Sequence, residues 1–381
     1  MMNFDINHLI SFRQTLHQNP EMSGSEEYTA EAIKRMVIRF QPDDIIDNLG
    51  GYGVAFIFKG KKPGPTILFR ADIDALPIQE TNDFDYASRT DGIAHQCGHD
   101  GHITILVGLA ERISKHRPEH GKVVLLFQPA EETGEGALAV MDDPNYYRIE
   151  PDMCFGLHNI PGYPKGSIII KNNTFSAASQ GMIVKLKGKT SHAAEPDKGI
   201  SPAIAMAKII ESITKLPEKK YLFTDYVLTT IVHARLGERA FGTSPGYAEI
   251  LLTLRAFEDE DMEVLHEHAK NTIHLISKHE NLDVEIQYAD IYPSTQNDPA
   301  LVKIVKDMAE QQGLKAIKRE TPFAWAEDFA HYSHKYKSVF FGLGAGEDTP
   351  KLHNPDYNFP DDIIIHGINI FCSIYKNLLL I

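Results

Sequence analysis

Residues 95–102 contain three histidines, one cysteine and one aspartate within eight positions. Thiolate, imidazole and carboxylate groups are the ligands that zinc and similar divalent metals prefer in proteins. The apolar residues that follow, from Ile103 to Ile113, recur at the spacing of an amphipathic helix. We therefore expect the cluster on a loop that opens a helix, where the helix N-terminus favours a thiolate at Cys97. The alternative is a capped helix start with surface histidines, but an ionised Cys97 beside His99 predicts half of a metal site.

Carboxylates and histidines also follow four short apolar segments of the buried-strand type. The segments are residues 66–69, 122–127, 153–157 and 338–343, and they are followed in turn by Asp74, by Glu131 and Glu132, by His158, and by His353. Open α/β sheets bind ligands at the carboxyl ends of their strands, so these side chains should converge at one edge of a sheet.

The resulting ligand set mixes sulfur, nitrogen and oxygen and is too large for one tetrahedral ion. Its members are Cys97, His99, Glu132, His158 and His353, with Glu131 and Asp74 as additional acids. The set favours two divalent ions, which could be Zn²⁺, Mn²⁺, Co²⁺ or Ni²⁺.

The adjacent acids Glu131 and Glu132 can divide two tasks between them. If the backbone is extended here, adjacent side chains point in opposite directions. One glutamate can then bind metal while the other approaches a metal-activated water as a general base. The alternative is a pair of solvated loop glutamates, but the buried strand before them and the other ligands favour a functional pair.

The alternation of apolar strands with helices predicts an α/β fold with a mostly parallel sheet and helices on both faces. Residues 181–288 follow the order β-α-β-β-α-β, which is typical of a ferredoxin-like α+β domain. We therefore expect a catalytic domain in two parts, residues 1–177 and 291–381, with an inserted domain at residues 178–290.

The composition argues against several classes of protein. A chain of 381 residues exceeds one ordinary core, and a net charge of -14 argues against nucleic acid as a partner. No segment approaches the length of a membrane span, and residues 1–13 lack the pattern of a secretory signal. The three cysteines are widely spaced, which predicts a reducing, cytoplasmic setting rather than a disulfide framework.

Taken together, the motifs resemble those of the co-catalytic metal-dependent amidohydrolases of the aminoacylase and carboxypeptidase group. The similarity is to the branch that contains hippurate hydrolases, indole-acetyl-amino-acid hydrolases and N-acetyl-diaminopimelate deacetylases. The shared motifs cover nearly the whole chain in the family's order and lie at residues 13–21, 70–77, 97–102, 128–132, 156–158, 191–196, 327–329 and 353–355.

This resemblance implies a role for each matching residue. Up to two divalent ions would be held by Cys97, His99, Glu132, His158 and His353. Glu131 would be the general base, and Asp74 would orient the site from behind the ligands. The inserted domain would be a lid that also carries the interface of a homodimer. His192, on a lid loop, would reach the substrate or the tetrahedral intermediate, in the neighbouring subunit's site.

The implied reaction is hydrolysis of the amide bond of an N-acyl amino acid, such as an N-acetyl amino acid. Two alternatives remain open. A dipeptidase or aminopeptidase could use the same metal site on short peptides. A metal-binding or ligand-binding protein could retain the fold without catalysis, although such proteins usually lose the base or a ligand.

Two stretches depart from the family pattern. The carboxypeptidase branch has a metal-binding His-x-Asp where this chain has Asp-Ile-Asp at residues 72–74, so the resemblance is to the cysteine-containing branch. Many relatives carry Asn-Val-Ile-Pro in the lid, and its Asn contacts the substrate. This chain has Gly-Thr-Ser-Pro at residues 242–245, so His233 and Arg255 on predicted lid strands are candidates to replace that contact.

Overall fold

The structure, a computed structural model, describes residues 5–380. Its helices are α1 (Asn7–Gln18), α2 (Glu27–Val37), α3 (His99–Lys115), α4 (Gly136–Met141), α5 (Ala203–Thr214), α6 (Asp259–His279), α7 (Pro299–Gln311), α8 (Ala330–Lys335) and α9 (Ile364–Leu379). Its strands are β1 (Asp44–Leu49), β2 (Gly53–Lys59), β3 (Lys62–Asp72), β4 (His120–Gln128), β5 (Met153–Pro161), β6 (Ile168–Ile170), β7 (Asn173–Ser176), β8 (Ala178–Lys187), β9 (Ser191–His192), β10 (Val227–Leu236), β11 (Thr243–Ser244), β12 (Tyr247–Ala256), β13 (Asp283–Tyr292), β14 (Thr295–Asn297), β15 (Ala316–Lys318) and β16 (Lys337–Gly346). Over this part of the chain, none of the helices combines the length and the apolar character that crossing a membrane requires.

The described chain divides into two compact units. Unit 1 contains the chain through Phe175, Thr295–Thr321 and the chain from Asp328 onward, and unit 2 contains Ser176–Ser294 and Pro322–Glu327. The sequence-based borders lie at residues 178 and 290, and they assign all of 291–381 to the first domain. The structure differs in grouping residues 322–327 with unit 2.

Unit 1 is built on an eight-stranded sheet in the order β1-β2-β4-β3-β5-β16-β6-β15. The four central strands β4, β3, β5 and β16 run parallel, while the β1–β2, β2–β4 and β16–β6 pairings are antiparallel. Residues 67–69 of β3 are fully buried, as expected for a strand covered on both faces. The predicted α/β class with a mostly parallel sheet is confirmed.

The parallel register brings the ends of the central strands to one edge of this sheet. Asp72, the last residue of β3, pairs with Gln128, the last residue of β4. On the other side of β3, β5 pairs with β16 so that His158 lies beside Gly342. The loops that leave β3 and β4 therefore start next to each other, and residues far apart in sequence can meet there.

Helix α3 is more deeply buried than the sequence predicts. The periodicity from Ile103 to Ile113 suggests one apolar face, but every residue from His99 to Ala110 is buried. Helices α1 and α9 and the sheet pack around it, so its polar first turn lies inside unit 1. The histidines at its start are therefore not surface residues.

Unit 2 contains a four-stranded antiparallel sheet in the order β10-β12-β8-β13. Helix α5 connects β8 to β10 and α6 connects β12 to β13, which gives the predicted ferredoxin-like β-α-β-β-α-β arrangement. Alternate residues of β12, such as Ile250 and Leu252, are buried in one core with Ile209 and Ile213 of α5. The period-2 pattern of the strands thus places one face of the sheet against the helices.

Candidate metal centre

Five side chains from three loops, the first turn of α3 and strand β5 converge in unit 1. The ligand atoms of Cys97, His99 and His158 lie within 4.8 Å of one another, and so do those of Cys97, Glu132 and His353. His99 Nε2 lies 3.7 Å from Glu132 Oε1, which links the two groups. Two adjacent triads that share Cys97 are suited to two neighbouring ions rather than one.

Two buried polar atoms that lack a hydrogen bond test whether a metal fits here. His99 Nε2 and Glu132 Oε1 are buried and make no hydrogen bond. Leaving such an atom without a partner costs about 1–3 kcal/mol, so native proteins rarely do so without a reason. A divalent cation would accept a lone pair from each atom, and the sulfur, nitrogen and oxygen donors present are those that zinc and related metals take. The residues fit such a group.

The orientation of the histidine ligands is set by their second ring nitrogens. His99 Nδ1 lies 3.0 Å from the backbone oxygen of Asp74 and 3.3 Å from its Oδ1, which favours a proton on Nδ1 and leaves Nε2 directed at the cluster. His158 Nδ1 lies 2.9 Å from the backbone oxygen of Asn159, with the same effect. Asp74 also accepts from the backbone N–H of Glu132 at 3.0 Å. Asp74 therefore lies where an orienting acid is expected.

Left-handed backbone occurs at three positions of this site. Gly98, between Cys97 and His99, has φ +93°, and a Cβ there would lie 2.7 Å from Asn159 Oδ1. His353 has φ +66° and Ala130 has φ +53°. Non-glycine residues rarely adopt this conformation, and such strain clusters at functional sites because the surrounding structure enforces it.

The charge state of the cluster differs from the sequence-based expectation. We expected the start of α3 to favour a thiolate at Cys97, but burial, reinforced by Glu132, raises the pKa of this thiol well above its usual value. Burial alone would lower the pKa of His99, yet Asp72 and the hydrogen bond to Asp74 raise it to about 10. Without a cation in the cluster, both groups therefore hold their protons at neutral pH. The helix terminus is outweighed because the thiol is surrounded by carboxylates in a buried site.

The Glu131–Glu132 pair lies in a tight turn, not in the extended backbone that we expected. The N–H of Gly134 donates to the backbone oxygen of Glu131 at 2.8 Å, directly after the left-handed Ala130. The turn keeps both side chains at the cluster: ligand atoms of His99, Glu131 and Glu132 lie within 4.8 Å of one another. Glu131 Oε1 also accepts the backbone N–H of Asp328 at 3.4 Å.

A buried clamp behind this turn was not predicted from the sequence. Arg70 donates from Nε to Gln128 Oε1 at 3.0 Å and from Nη2 to Asp328 Oδ1 at 2.5 Å. Asp328 Oδ2 accepts from Gln128 Nε2 and from the backbone N–H of Ala137, both at 2.8 Å. All of these side chains are buried. The clamp ties β3 and β4 to both ends of the loop that carries Glu131. The one sequence signal for it is that Arg70, Gln128 and Asp328 all lie within the family motifs.

The residues predicted for the lid lie in unit 2. His192 is exposed on β9, and its backbone pairs with Thr243 of β11. Its Nδ1 accepts the N–H of Ala194 at 3.0 Å, which leaves the proton of a neutral ring on Nε2. His233 is exposed on β10, and Arg255 of β12 donates to a backbone oxygen at residue 324, 2.9 Å away.

Comparisons with known proteins identify the family of the chain. The family model described as peptidase family M20/M25/M40 matches residues 68–377. The N-acetylcysteine deacetylase of Bacillus subtilis (strain 168) is 30% identical over 367 residues, which cover 96% of this chain and 95% of that protein. An uncharacterized hydrolase of Staphylococcus epidermidis (strain ATCC 12228 / FDA PCI 1200) is 30% identical over 381 residues, with 96% of each chain covered.

A solved structure has the same fold over its full length. It is the crystal structure of the Bacillus subtilis YXEP protein, described as a dinuclear metal binding peptidase from the M20 family. It matches with a TM-score of 0.82 and 28% sequence identity, and the alignment covers 98% of each chain. The chain therefore belongs to peptidase family M20/M25/M40 and is a metal-dependent amidohydrolase.

Proposed function

We propose that this enzyme hydrolyses the amide bond of N-acyl amino acids, with N-acetyl amino acids as the first class to test. The observation that carries the proposal is the pair of ligand triads that share Cys97, with the buried acid Glu131 on the turn beside them. A relative that is 30% identical is an N-acetylcysteine deacetylase, which supports an acyl group as small as acetyl.

We further propose that the five ligands hold two divalent ions, of the Zn²⁺, Mn²⁺, Co²⁺ or Ni²⁺ type. The similarity to a dinuclear metal binding peptidase supports this number. Such ions, when bound, would lower the pKa of a water and polarise the amide carbonyl.

In the proposed reaction, Glu131 acts first as a general base and then as a general acid. Its carboxylate takes a proton from the attacking water and later passes it to the nitrogen of the leaving amine. The N–H of Asp328 holds one carboxylate oxygen of Glu131, so the acid keeps one orientation through both transfers. Asp74 keeps Nε2 of His99 directed at the cluster. Nothing in these steps requires a covalent intermediate with the protein.

For the substrate, we propose contacts from unit 2. The Nε2–H of His192 is a hydrogen-bond donor suited to the oxyanion of the tetrahedral intermediate. Arg255 and His233 are candidates for the carboxylate of the amino acid, because a guanidinium pairs with carboxylate in two hydrogen bonds. We also propose that unit 2 is a lid and the interface of a homodimer, as the resemblance implies.

The test combines metal analysis with hydrolysis on one preparation. The purified protein is assayed with a panel of N-acetyl amino acids before chelation, after chelation, and after return of Zn²⁺, Mn²⁺, Co²⁺ or Ni²⁺. Activity that disappears on chelation and returns with about two ions per chain is the expected result.

Free dipeptides in the same panel distinguish an N-acyl amino acid hydrolase from a dipeptidase or aminopeptidase. Cleavage of dipeptides but of no N-acetyl amino acid would replace the proposed substrate class with that of a dipeptidase or aminopeptidase. Failure to bind any of these metals under reducing conditions would overturn the metal centre itself.

A further inference from the structure

The segment 21–26 contacts both of the loops that carry the proposed chemistry. The backbone oxygen of Glu21 accepts the N–H of Ala75 at 2.8 Å. The hydroxyl of Ser23 donates to Oδ2 of Asp74 at 2.7 Å. This half of the segment therefore holds the loop that follows β3, and with it the acid that orients His99.

Glu26, at the end of the segment, makes the contact to the other loop. Its side chain is 0% exposed, and its Oε1 accepts the N–H of Ala130 at 2.9 Å. Ala130 has φ +53°, a left-handed conformation that residues with a Cβ avoid. Because Ala130 directly precedes Glu131, its conformation sets the direction in which the turn, and thus the base, leaves β4.

Burying the Glu26 carboxylate costs folding free energy, so a role in stability alone does not explain an acid at this position. Its second oxygen, Oε2, is buried and makes no hydrogen bond. Burial raises the pKa of this carboxyl, which is the sign of a group that the fold desolvates without full compensation. A small apolar residue would avoid this cost but would leave the N–H of Ala130 without its partner. A buried acid at this position is better explained by its hydrogen bond to the turn.

We propose that Glu26 is a positioning residue for the reaction, which holds Ala130 in its left-handed conformation and thereby aims Glu131. The inference rests on the proposed function, in which Glu131 is the general base. Ser23 acts in the same way on Asp74 from the other end of the segment. Neither residue is a ligand or a proton donor in the reaction.

The first experiment replaces Glu26 and measures kcat and KM separately. Glu26→Ala should lower kcat about 10-fold to 100-fold with KM and bound metal near their wild-type values, because the base is misaligned while the ligands remain. Glu26→Gln keeps a carbonyl oxygen for the N–H of Ala130 and should restore most of kcat. Glu27→Ala, at an exposed acid one residue further on, is the matched control and should leave kcat unchanged.

A second substitution separates an effect on the orientation of Glu131 from an effect on the stability of the fold. Glycine adopts left-handed backbone freely, so Ala130→Gly should make the turn less dependent on Glu26. The double variant Glu26→Ala/Ala130→Gly should therefore recover part of the kcat lost in Glu26→Ala, a non-additive result. A loss of kcat that tracks a lowered unfolding temperature and is not recovered by Ala130→Gly would overturn the proposal.

A third measurement does not depend on activity. Amide hydrogen exchange in residues 130–134 should be faster in Glu26→Ala than in wild type and near wild type in Glu26→Gln. If wild type hydrolyses none of the substrates, the proposed function fails while this measurement still tests the contact between Glu26 and the turn. Unchanged exchange together with unchanged kcat in Glu26→Ala would overturn the inference.

Discussion

Cys97 Sγ lies 3.3 Å from His158 Nε2, although 61 positions separate the two residues in sequence. Cys97 lies on the loop before α3, whereas His158 lies within β5. Their meeting follows from the parallel pairing of β3 with β4 and β5, which brings successive strand ends to one edge. A thiol and an imidazole at this distance, next to a buried carboxylate, form a site whose cation must compete with protons.

Metal affinity should therefore rise with pH. Burial raises the pKa of Cys97 well above its usual value, and neighbouring carboxylates raise that of His99 to about 10, so the metal-free site holds both protons at neutral pH. Binding must displace them, which weakens apparent affinity as the pH falls. Titration calorimetry at pH 6, 7 and 8, in buffers of different ionisation enthalpy, would measure the affinity and the protons released. Affinity that is constant over this range would contradict the protonation states described.

Substitutions of Glu131 and Glu132 should have different effects, one on kcat and the other on metal content. Glu131→Gln should keep metal content near wild type and lower kcat by at least about 100-fold, because the amide cannot accept a proton. Glu132→Gln should instead lower metal content, since Glu132 Oε1 is one of the buried ligand atoms that lack a hydrogen bond. Metal analysis and kcat on both variants check this. Preserved turnover in metal-replete Glu131→Gln would exclude it as the base.

The buried clamp of Arg70, Gln128 and Asp328 should stabilise the fold. Asp328 Oδ2 accepts hydrogen bonds from Gln128 Nε2 and from the N–H of Ala137, both at 2.8 Å. In Asp328→Asn, an amide N–H₂ in place of this oxygen would face the two N–H donors and could accept from neither. We expect the free energy of unfolding to fall by about 3 kcal/mol, as for other broken buried charge networks. Urea unfolding of the metal-free protein measures this. Asp348→Asn, at an exposed loop, is the control and should stay within about 0.5 kcal/mol of wild type.

Gly136 should tolerate no side chain. A Cβ at this position would lie 1.7 Å from the backbone oxygen of Pro129, so Gly136→Ala must displace the loop that carries Glu131. Metal content and kcat should both fall. Gly242→Ala is the matched control, because a Cβ there meets nothing within 4 Å. Equal metal content and kcat in the two variants would show that the loop adjusts without consequence for the site.

The free energy of unfolding should carry a pH dependence from His17. This buried ring lies 2.8 Å from Asp100 and 3.1 Å from Glu80, and although burial lowers its pKa, these carboxylates raise it above the usual value. A raised folded-state pKa stabilises the fold below the unfolded value of about 6.5 and loses that contribution as the pH rises through the folded value. The difference in unfolding free energy between wild type and His17→Gln should therefore be largest near pH 6 and shrink at higher pH. A difference that grows with pH would contradict this ion pair.

Much of the fold and of the candidate ligand set was accessible from the sequence. The strand that ends at Asp72 is indicated by the short apolar segment at residues 66–69, and the first strand of unit 2, β8, by the alternation of apolar and polar residues at 181–187. Burial on both faces or on one face imposes these two patterns on any chain, so they can be read without the structure. Cys97 and His99 stand out because no packing requirement concentrates such residues.

Other features depend on contacts between segments that are distant in sequence. The clamp joins Arg70 to Asp328 across 258 positions, and Glu26 reaches Ala130 across 104. No local pattern records such a pairing, because its partners are chosen by how strands and helices pack. The burial of helix α3 was underestimated for the same reason. Its polar first turn is buried by the elements that pack around it, and the helix's own periodicity does not record them.

The amino-acid sequence by itself determined the architecture of strands and helices and the chemistry of the side chains at the strand ends. Local periodicity and residue type carry that information. Only the tertiary structure decided the charge of Cys97, the turn at Glu131 and the residues that hold both in place. These depend on burial and on hydrogen bonds across the fold, which exist only once the chain has folded.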